Sequence, residues 1–394
     1  MNKTQQQDFQ HPVVPAMAVS ASYYFENSQA VIDYHQGVGR QARYARYDNF
    51  GWELLEQQLA ALDGAEAAVV FPSGMAAIFS TILALCGQGD QVIYSSKGYR
   101  NISTLCHQHL PRYGIQTCPI TPELDHAEAI LAQIEAQLNP HTRMVLLEAP
   151  SNPHLLLTDI RALRALLPPR CLLVIDSTVA TPINLQPLQL GADLVLHSLG
   201  KYIGGHTNAM AGSVAGSVAL CQTIRALRNV NGAICESANV SRIMAGMQTL
   251  NLRMRHLNDC GMQVAHWLEQ DKRIRRVFYT GLPSHPHAEL AHQLRGHGGL
   301  ISFELDGDLA RTMRFVDAVD IAFMATGFGG VHAFIEQPCI FSYYKQSPAE
   351  RAAAGISDSL VRLALGLDSA EDVIASLARA LDASMRNAML AHQT

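Results

Sequence analysis

Leu194-Val195-Leu196-His197-Ser198-Leu199-Gly200-Lys201-Tyr202-Ile203-Gly204-Gly205-His206 sets one lysine behind a short apolar run and ahead of glycine-rich chain. A lysine so placed ends a buried strand, where desolvation lowers its pKa and frees its amine to form an imine. Upstream, Leu172-Leu173-Val174-Ile175-Asp176-Ser177-Thr178 is a second apolar strand with an aspartate at its exit. Singly, neither residue says much: most lysines are solvated, and most strand-end aspartates cap a turn or a helix. Their shared setting is informative, because open sheets bind ligands beyond the carboxyl ends of their strands. A carboxylate there pairs with a protonated pyridine nitrogen and keeps the ring an electron sink, while the amine takes the aldehyde. Lys201 with Asp176 therefore suggests pyridoxal phosphate.

The 394-residue length exceeds one hydrophobic core, so two domains are expected, and 48% hydrophobic residues can fill them. Only 16% are charged and the net charge is −5, which favours large buried areas and gives no reason to expect nucleic acid as a partner. The eight cysteines at 86, 106, 118, 171, 221, 235, 260 and 339 include no CxxC pair, which suits free thiols in a reducing compartment. The polar start Met1-Asn2-Lys3-Thr4-Gln5-Gln6-Gln7-Asp8 lacks a signal-peptide core, and no run is long and apolar enough to span a bilayer. A cytoplasmic enzyme with neither a metal site nor a membrane partner is expected.

The order of elements points to an α/β fold. Helical periodicity over 53–63 and 75–85 brackets the strand-like Glu66-Ala67-Ala68-Val69-Val70-Phe71, and Gln91-Val92-Ile93-Tyr94 follows. Met144-Val145-Leu146-Leu147-Glu148, then 172–175 and 194–197, continue a series of apolar strands separated by helical stretches, which implies a mostly parallel sheet. Gly200, Gly204, Gly205 and Gly212 read as loosening the chain around Lys201. Residues 222–274 read as largely helical. Beyond them, the strand-like 299–305 and helices near 307–319 and 370–390 indicate a smaller C-terminal α/β domain.

Phe71-Pro72-Ser73-Gly74-Met75-Ala76-Ala77-Ile78 stands between a strand and a helix. Ser73 is a helix cap, and Gly74 leaves room for a phosphate at the first free amides, where the helix dipole favours an anion. Arg46, beside Tyr44, offers a planar fork for the same anion, and Tyr99 offers a face for a planar ring.

From about Val14 to Ala388 the chain resembles the Cys/Met-metabolism family of pyridoxal-phosphate enzymes, which holds cystathionine γ-synthases, cystathionine and methionine γ-lyases, and acylhomoserine sulfhydrylases. Six stretches in family order carry the resemblance: 44–46, 73–77, Glu148-Ala149-Pro150-Ser151-Asn152-Pro153, 175–178, 201–206, and Ala354-Gly355-Ile356-Ser357-Asp358-Ser359-Leu360-Val361-Arg362-Leu363. It implies the fold of aspartate aminotransferase, fold type I, with an arm over 1–50, a large cofactor-binding domain over 51–250, and a smaller domain with its connecting helix over 251–394. It implies Lys201 as the imine lysine and proton shuttle, Asp176 as the pyridine-nitrogen partner, and Tyr99 as the residue stacked on the ring. Gly74, Met75 and Ser198 match phosphate-binding positions, while Tyr44 and Arg46 match a pair donated across a dimer interface. Arg362 matches the holder of the substrate α-carboxylate, with Asn152 beside it. A tetramer of two active dimers follows from the same resemblance.

Departures from the family pattern gather near the substrate. Gly200 replaces a phosphate-binding threonine, Asn208 an aspartate, and Asp48 and Phe50 a glycine and a proline. His332 and Ala333 stand where the family has glutamate and serine, which puts cystathionine recognition in doubt and marks His332 as a substrate-wall residue. Asn101 stands where many methionine γ-lyases have cysteine. The leading expectation is γ-elimination on a sulfur- or oxygen-substituted homoserine, with γ-replacement on an activated homoserine as the alternative. A β-eliminating lyase is a third reading, and the retained Lys201, Asp176, Tyr99 and Arg362 weigh against a non-catalytic scaffold.

Overall fold

The computed structural model describes residues 14–39 and 41–390, with side chains described to residue 385. The polar segment Met1–Asp8 lies outside the described residues. Seven strands form the larger sheet: β1 (Ala67–Phe71), β2 (Gln91–Ser95), β3 (Gln116–Ile120), β4 (Thr142–Glu148), β5 (Leu172–Asp176), β6 (Leu194–Ser198) and β7 (Gly212–Gly216). Their order is β1-β7-β6-β5-β4-β2-β3. Only β7 runs against its neighbours; β6, β5, β4, β2 and β3 are parallel.

The near-continuous apolar strands follow from helices on both faces. Val92, Tyr94, Met144, Leu146 and Val174 pack on one side with the helices Gly74–Leu85 and Val218–Asn231. Ile93, Val145, Leu147, Leu173 and Ile175 pack on the other with the helices Glu128–Gln137 and Ile160–Leu166. Burying each such side chain contributes roughly 1.5–3 kcal/mol.

The second sheet comprises β8 (Ile274–Phe278), β9 (Leu300–Leu305), β10 (Ala322–Met324), β11 (Ala333–Glu336) and β12 (Leu360–Ala364), in the order β10-β11-β12-β9-β8. It is antiparallel apart from the β10/β11 pair. The helix Leu250–Gln270 joins the two parts, and its Met254, Leu257 and Val264 share one core with Val195 of the larger sheet and Phe303 of the smaller.

Two elements differ from the sequence reading. The helix expected over 53–63 starts at Phe50, because Asn49 caps it, its side-chain oxygen accepting from the Gly51 amide at 2.9 Å. Gly212 does not loosen the chain; it opens β7, the strand between β1 and β6. All eight cysteines are free thiols, and among the described residues no helix is long and apolar enough to cross a membrane.

Candidate active site

Glu148, Asp176 and Ser198 are the last residues of β4, β5 and β6, and all three line a cavity of about 670 Å³. The smaller sheet closes it with Glu336 of β11 and Arg362 of β12. Lys201 enters from a tight turn beyond β6, where its amide donates to Ser198 O at 3.2 Å and its carbonyl accepts from Gly205 N at 2.7 Å. The turn also explains Gly200: a Cβ there would lie 2.6 Å from the Ala209 carbonyl oxygen, so this backbone admits no threonine. Burial lowers the Lys201 pKa, with the Arg362 cation acting in the same direction and Glu336 opposing both.

Asp176 and Glu148 are register partners across β5 and β4. Asp176 Oδ1 accepts from the Thr178 amide at 3.0 Å and its hydroxyl at 2.5 Å, and Thr178 Oγ1 in turn accepts from Ser198 N at 2.8 Å. Glu148 accepts from the amides of Tyr99 and Asn152, so one carboxylate ties together the two loops that carry those residues. Burial raises the pKa of both acids, and Asp176 pushes Glu148 up further. A cationic heterocycle placed against this pair relieves that penalty.

At the neighbouring helix start, Ser73 Oγ accepts from Ala76 N at 3.1 Å and leaves the first amides, at Gly74 and Met75, facing the cavity. A Cβ on Gly74 would stand 3.1 Å from Ser198 Cβ, so glycine keeps the cradle open. Pyridoxal phosphate fits these groups: Lys201 for its aldehyde, Asp176 for its ring nitrogen, and the helix amides with Ser198 for its phosphate.

Arg362 is buried and anchored through both terminal nitrogens of its guanidinium. Its guanidinium donates to Glu336 at 2.9 Å, Asn152 Oδ1 at 3.2 Å, and the carbonyls of Thr326 and Gly327 at 2.7 and 3.1 Å. Among the described residues its Nε and Glu336 Oε2 have no hydrogen-bond partner.

A family profile described as Cys/Met metabolism PLP-dependent enzyme matches residues 1–382. The chain belongs to that family. Chloroplastic cystathionine gamma-synthase 1 of Arabidopsis thaliana is 38% identical over 92% of this chain, which spans 64% of that relative's length. The L-methionine gamma-lyase of Pseudomonas putida is 34% identical over 96% of this chain and 94% of its own. The crystal structure of cystathionine gamma synthase from Xanthomonas oryzae pv. oryzae in complex with aminoacrylate and cysteine superposes with a TM-score of 0.88 at 31% identity, covering 96% of this chain and 95% of that one.

Within this member of the Cys/Met-metabolism family, the cavity gathers Gly74, Met75, Tyr99, Asn152, Asp176, Ser198, Lys201 and Arg362. Tyr44 and Arg46 lie outside it: Arg46 donates to Asn229 O at 2.7 Å and stacks on Tyr47. His332, expected on the substrate wall, is not brought there. It is exposed, with its ring edge-on to Phe323 at 5.5 Å, and Ala333 is buried at the start of β11. On this side the cavity is lined by the preceding loop, through Thr326 and Phe328. Sequence reasoning also passed over Glu148 and Glu336. Glu148 carried the same signal as Asp176, a carboxylate ending an apolar strand, whereas Glu336 is recognisable only once it is paired with Arg362 across β11 and β12.

Proposed function

We propose that this enzyme cleaves the bond between Cγ and a sulfur or oxygen substituent in a homoserine-type amino acid. The observation that carries the reading is the convergence of a half-buried amine, Lys201, a half-buried carboxylate, Asp176, and a buried guanidinium, Arg362, on one cavity. Pyridoxal phosphate, when bound, supplies the electron sink for charge developed at Cα. Arg362 and Asn152 bind the α-carboxylate and orient the substrate. Lys201, its ammonium form disfavoured by burial, takes the α-proton, passes it on, and then takes a proton from Cβ, whose electron pair forms the Cβ–Cγ double bond as the Cγ substituent leaves. The Tyr99 hydroxyl accepts from Asn101 Nδ2 at 3.0 Å, so its own proton is free for a leaving group. Elimination consumes one water and yields the free thiol or acid, ammonia and a 2-oxo acid.

Capture of the Cγ fragment by a thiol is the second reading, favoured by the match to a cystathionine gamma-synthase over 92% of this chain. Incubation with methionine, cystathionine and O-acylhomoserines, with and without cysteine or sulfide, followed by mass identification of products, separates the two. A 2-oxo acid without added thiol supports elimination, and a new thioether formed only with thiol supports replacement. Release of neither overturns the proposal. Borohydride reduction of the cofactor-loaded protein is expected to leave a phosphopyridoxyl group on Lys201; an adduct on another lysine removes the basis of the reading.

Assembly belongs to the same proposal. Tyr44 and Arg46 stand away from their own chain's cavity, which suits donation to a neighbour within a dimer, two of which make the tetramer expected from the family resemblance.

A further inference from the structure

Lys201 Nζ sits 4.8 Å from the centroid of the Phe328 ring, and among the described residues it makes no ion pair and no hydrogen bond. Phe328 is itself 8% exposed and lines the cavity. Two features hold the ring in place. It lies tilted against Tyr202, the residue after the lysine, at 5.7 Å and 52°. Gly329 follows with φ +81, and a Cβ there would stand 2.4 Å from the Tyr202 amide, so the segment lies hard against the lysine turn.

We propose that Phe328 is a positioning residue for Lys201, its aromatic face holding the free ε-ammonium in the cavity and setting the pH at which that lysine becomes a nucleophile. The inference rests on Lys201 being the aldehyde-binding amine. Burial and the like charge of Arg362 drive Lys201 toward the neutral amine, and Glu336 opposes them. Glu336 is held elsewhere, with Oε1 on Arg362 at 2.9 Å. The ring quadrupole therefore provides the direct contact with the ammonium. A full ion pair would fix the cation and quench it, whereas a ring face supports it and still releases the proton. Arg362 Cζ lies 5.7 Å from the same centroid, so one ring serves the acceptor of the aldehyde and the candidate holder of the α-carboxylate. The other charged or titratable groups lining the cavity are Glu148, Asp176, Tyr99, Arg100 and Tyr343.

The test is the pH profile of Lys201 acetylation by trace acetic anhydride in the full-length protein stripped of cofactor, read by peptide mass. Phe328→Leu removes the quadrupole and is expected to move the midpoint down by about half to one and a half pH units. Replacing Phe328 by 3,4,5-trifluorophenylalanine keeps the shape but drains the ring face, and is expected to move it in the same direction. Phe328→Tyr keeps the face and is expected to hold the parent midpoint. Should the leucine variant fail to fold, the fluorinated chain decides. A fluorinated profile coincident with the parent overturns the role of Phe328 while leaving Lys201 in place. A phosphopyridoxyl adduct on a different lysine instead overturns the assignment on which the inference rests.

Discussion

Arg362 and Glu336 face each other across β12 and β11 with almost no solvent contact, their side chains 6% and 2% exposed. Desolvation drives the arginine pKa down and the glutamate pKa up, so each is held charged chiefly by the other. Glu336→Ala strands a buried guanidinium and is expected to cost about 3–5 kcal/mol in urea unfolding of the cofactor-free protein. Glu336→Leu combined with Arg362→Met is expected to recover most of that loss. Additive losses in the double variant would show that the pair is not coupled. A second effect at this scale depends on pH. Burial lowers the pKa of His154 to about 4 and of His285 to about 3, both from an ordinary value near 6.5. The unfolded chain binds those protons first, so their contribution to stability is complete above pH 6.5 and lost as the pH falls toward 4. Two such groups give a slope of about 2.7 kcal/mol per pH unit midway through that window. His197 works in the opposite sense. Burial disfavours its cation, but Asp63, 2.9 Å away, outweighs that and raises its pKa, so its contribution is present at low pH and lost as pH rises through the folded value. Unfolding of His154→Gln and His285→Gln variants between pH 4 and 7 should show a flatter acid limb; an unchanged limb would assign it to other groups.

Strand β7, Gly212-Ser213-Val214-Ala215-Gly216, had no strand signature in the sequence, because its composition is that of a flexible loop. Its position explains the composition. A Cβ on Gly212 would lie 2.3 Å from Ser73 O and 2.6 Å from Gly74 N, the start of the helix proposed to hold the phosphate. Small residues here let the antiparallel strand slide between β1 and β6 and press on that helix start. Gly212→Ala is expected to destabilise the protein by about 1–3 kcal/mol through overpacking. It should also weaken cofactor retention in equilibrium dialysis, because the displaced atoms belong to the cradle. Retention equal to the parent would place the strain elsewhere. The central strands were legible for the complementary reason: helices cover both their faces, so each is written as an unbroken apolar run.

At the scale of the whole molecule, residues 14–50 expose Val14, Met17, Val19, Tyr24 and Tyr44, apolar surface suited to the proposed contact with another copy. If Arg46 serves a neighbour's cavity, subunits carrying Arg46→Ala and subunits carrying Lys201→Ala are each inactive alone. Co-expressed, they are expected to restore about a quarter of the sites, since each mixed dimer holds one intact set. A mixture as inactive as its components would place Arg46 in its own chain's site. The sequence by itself determined the two-part α/β architecture, the family, and the eight cavity residues that sit at strand exits, at a helix start or within family motifs. These are local: apolar periodicity, a cap and a strand-ending charge are written in consecutive residues. Tertiary structure alone decided that Glu336 neutralises Arg362, that Phe328 rather than His332 lines the cavity, and that Gly212 belongs to a strand. Each of these depends on register or on close approach between segments far apart in the chain, and neither can be read from the spacing of residues along it.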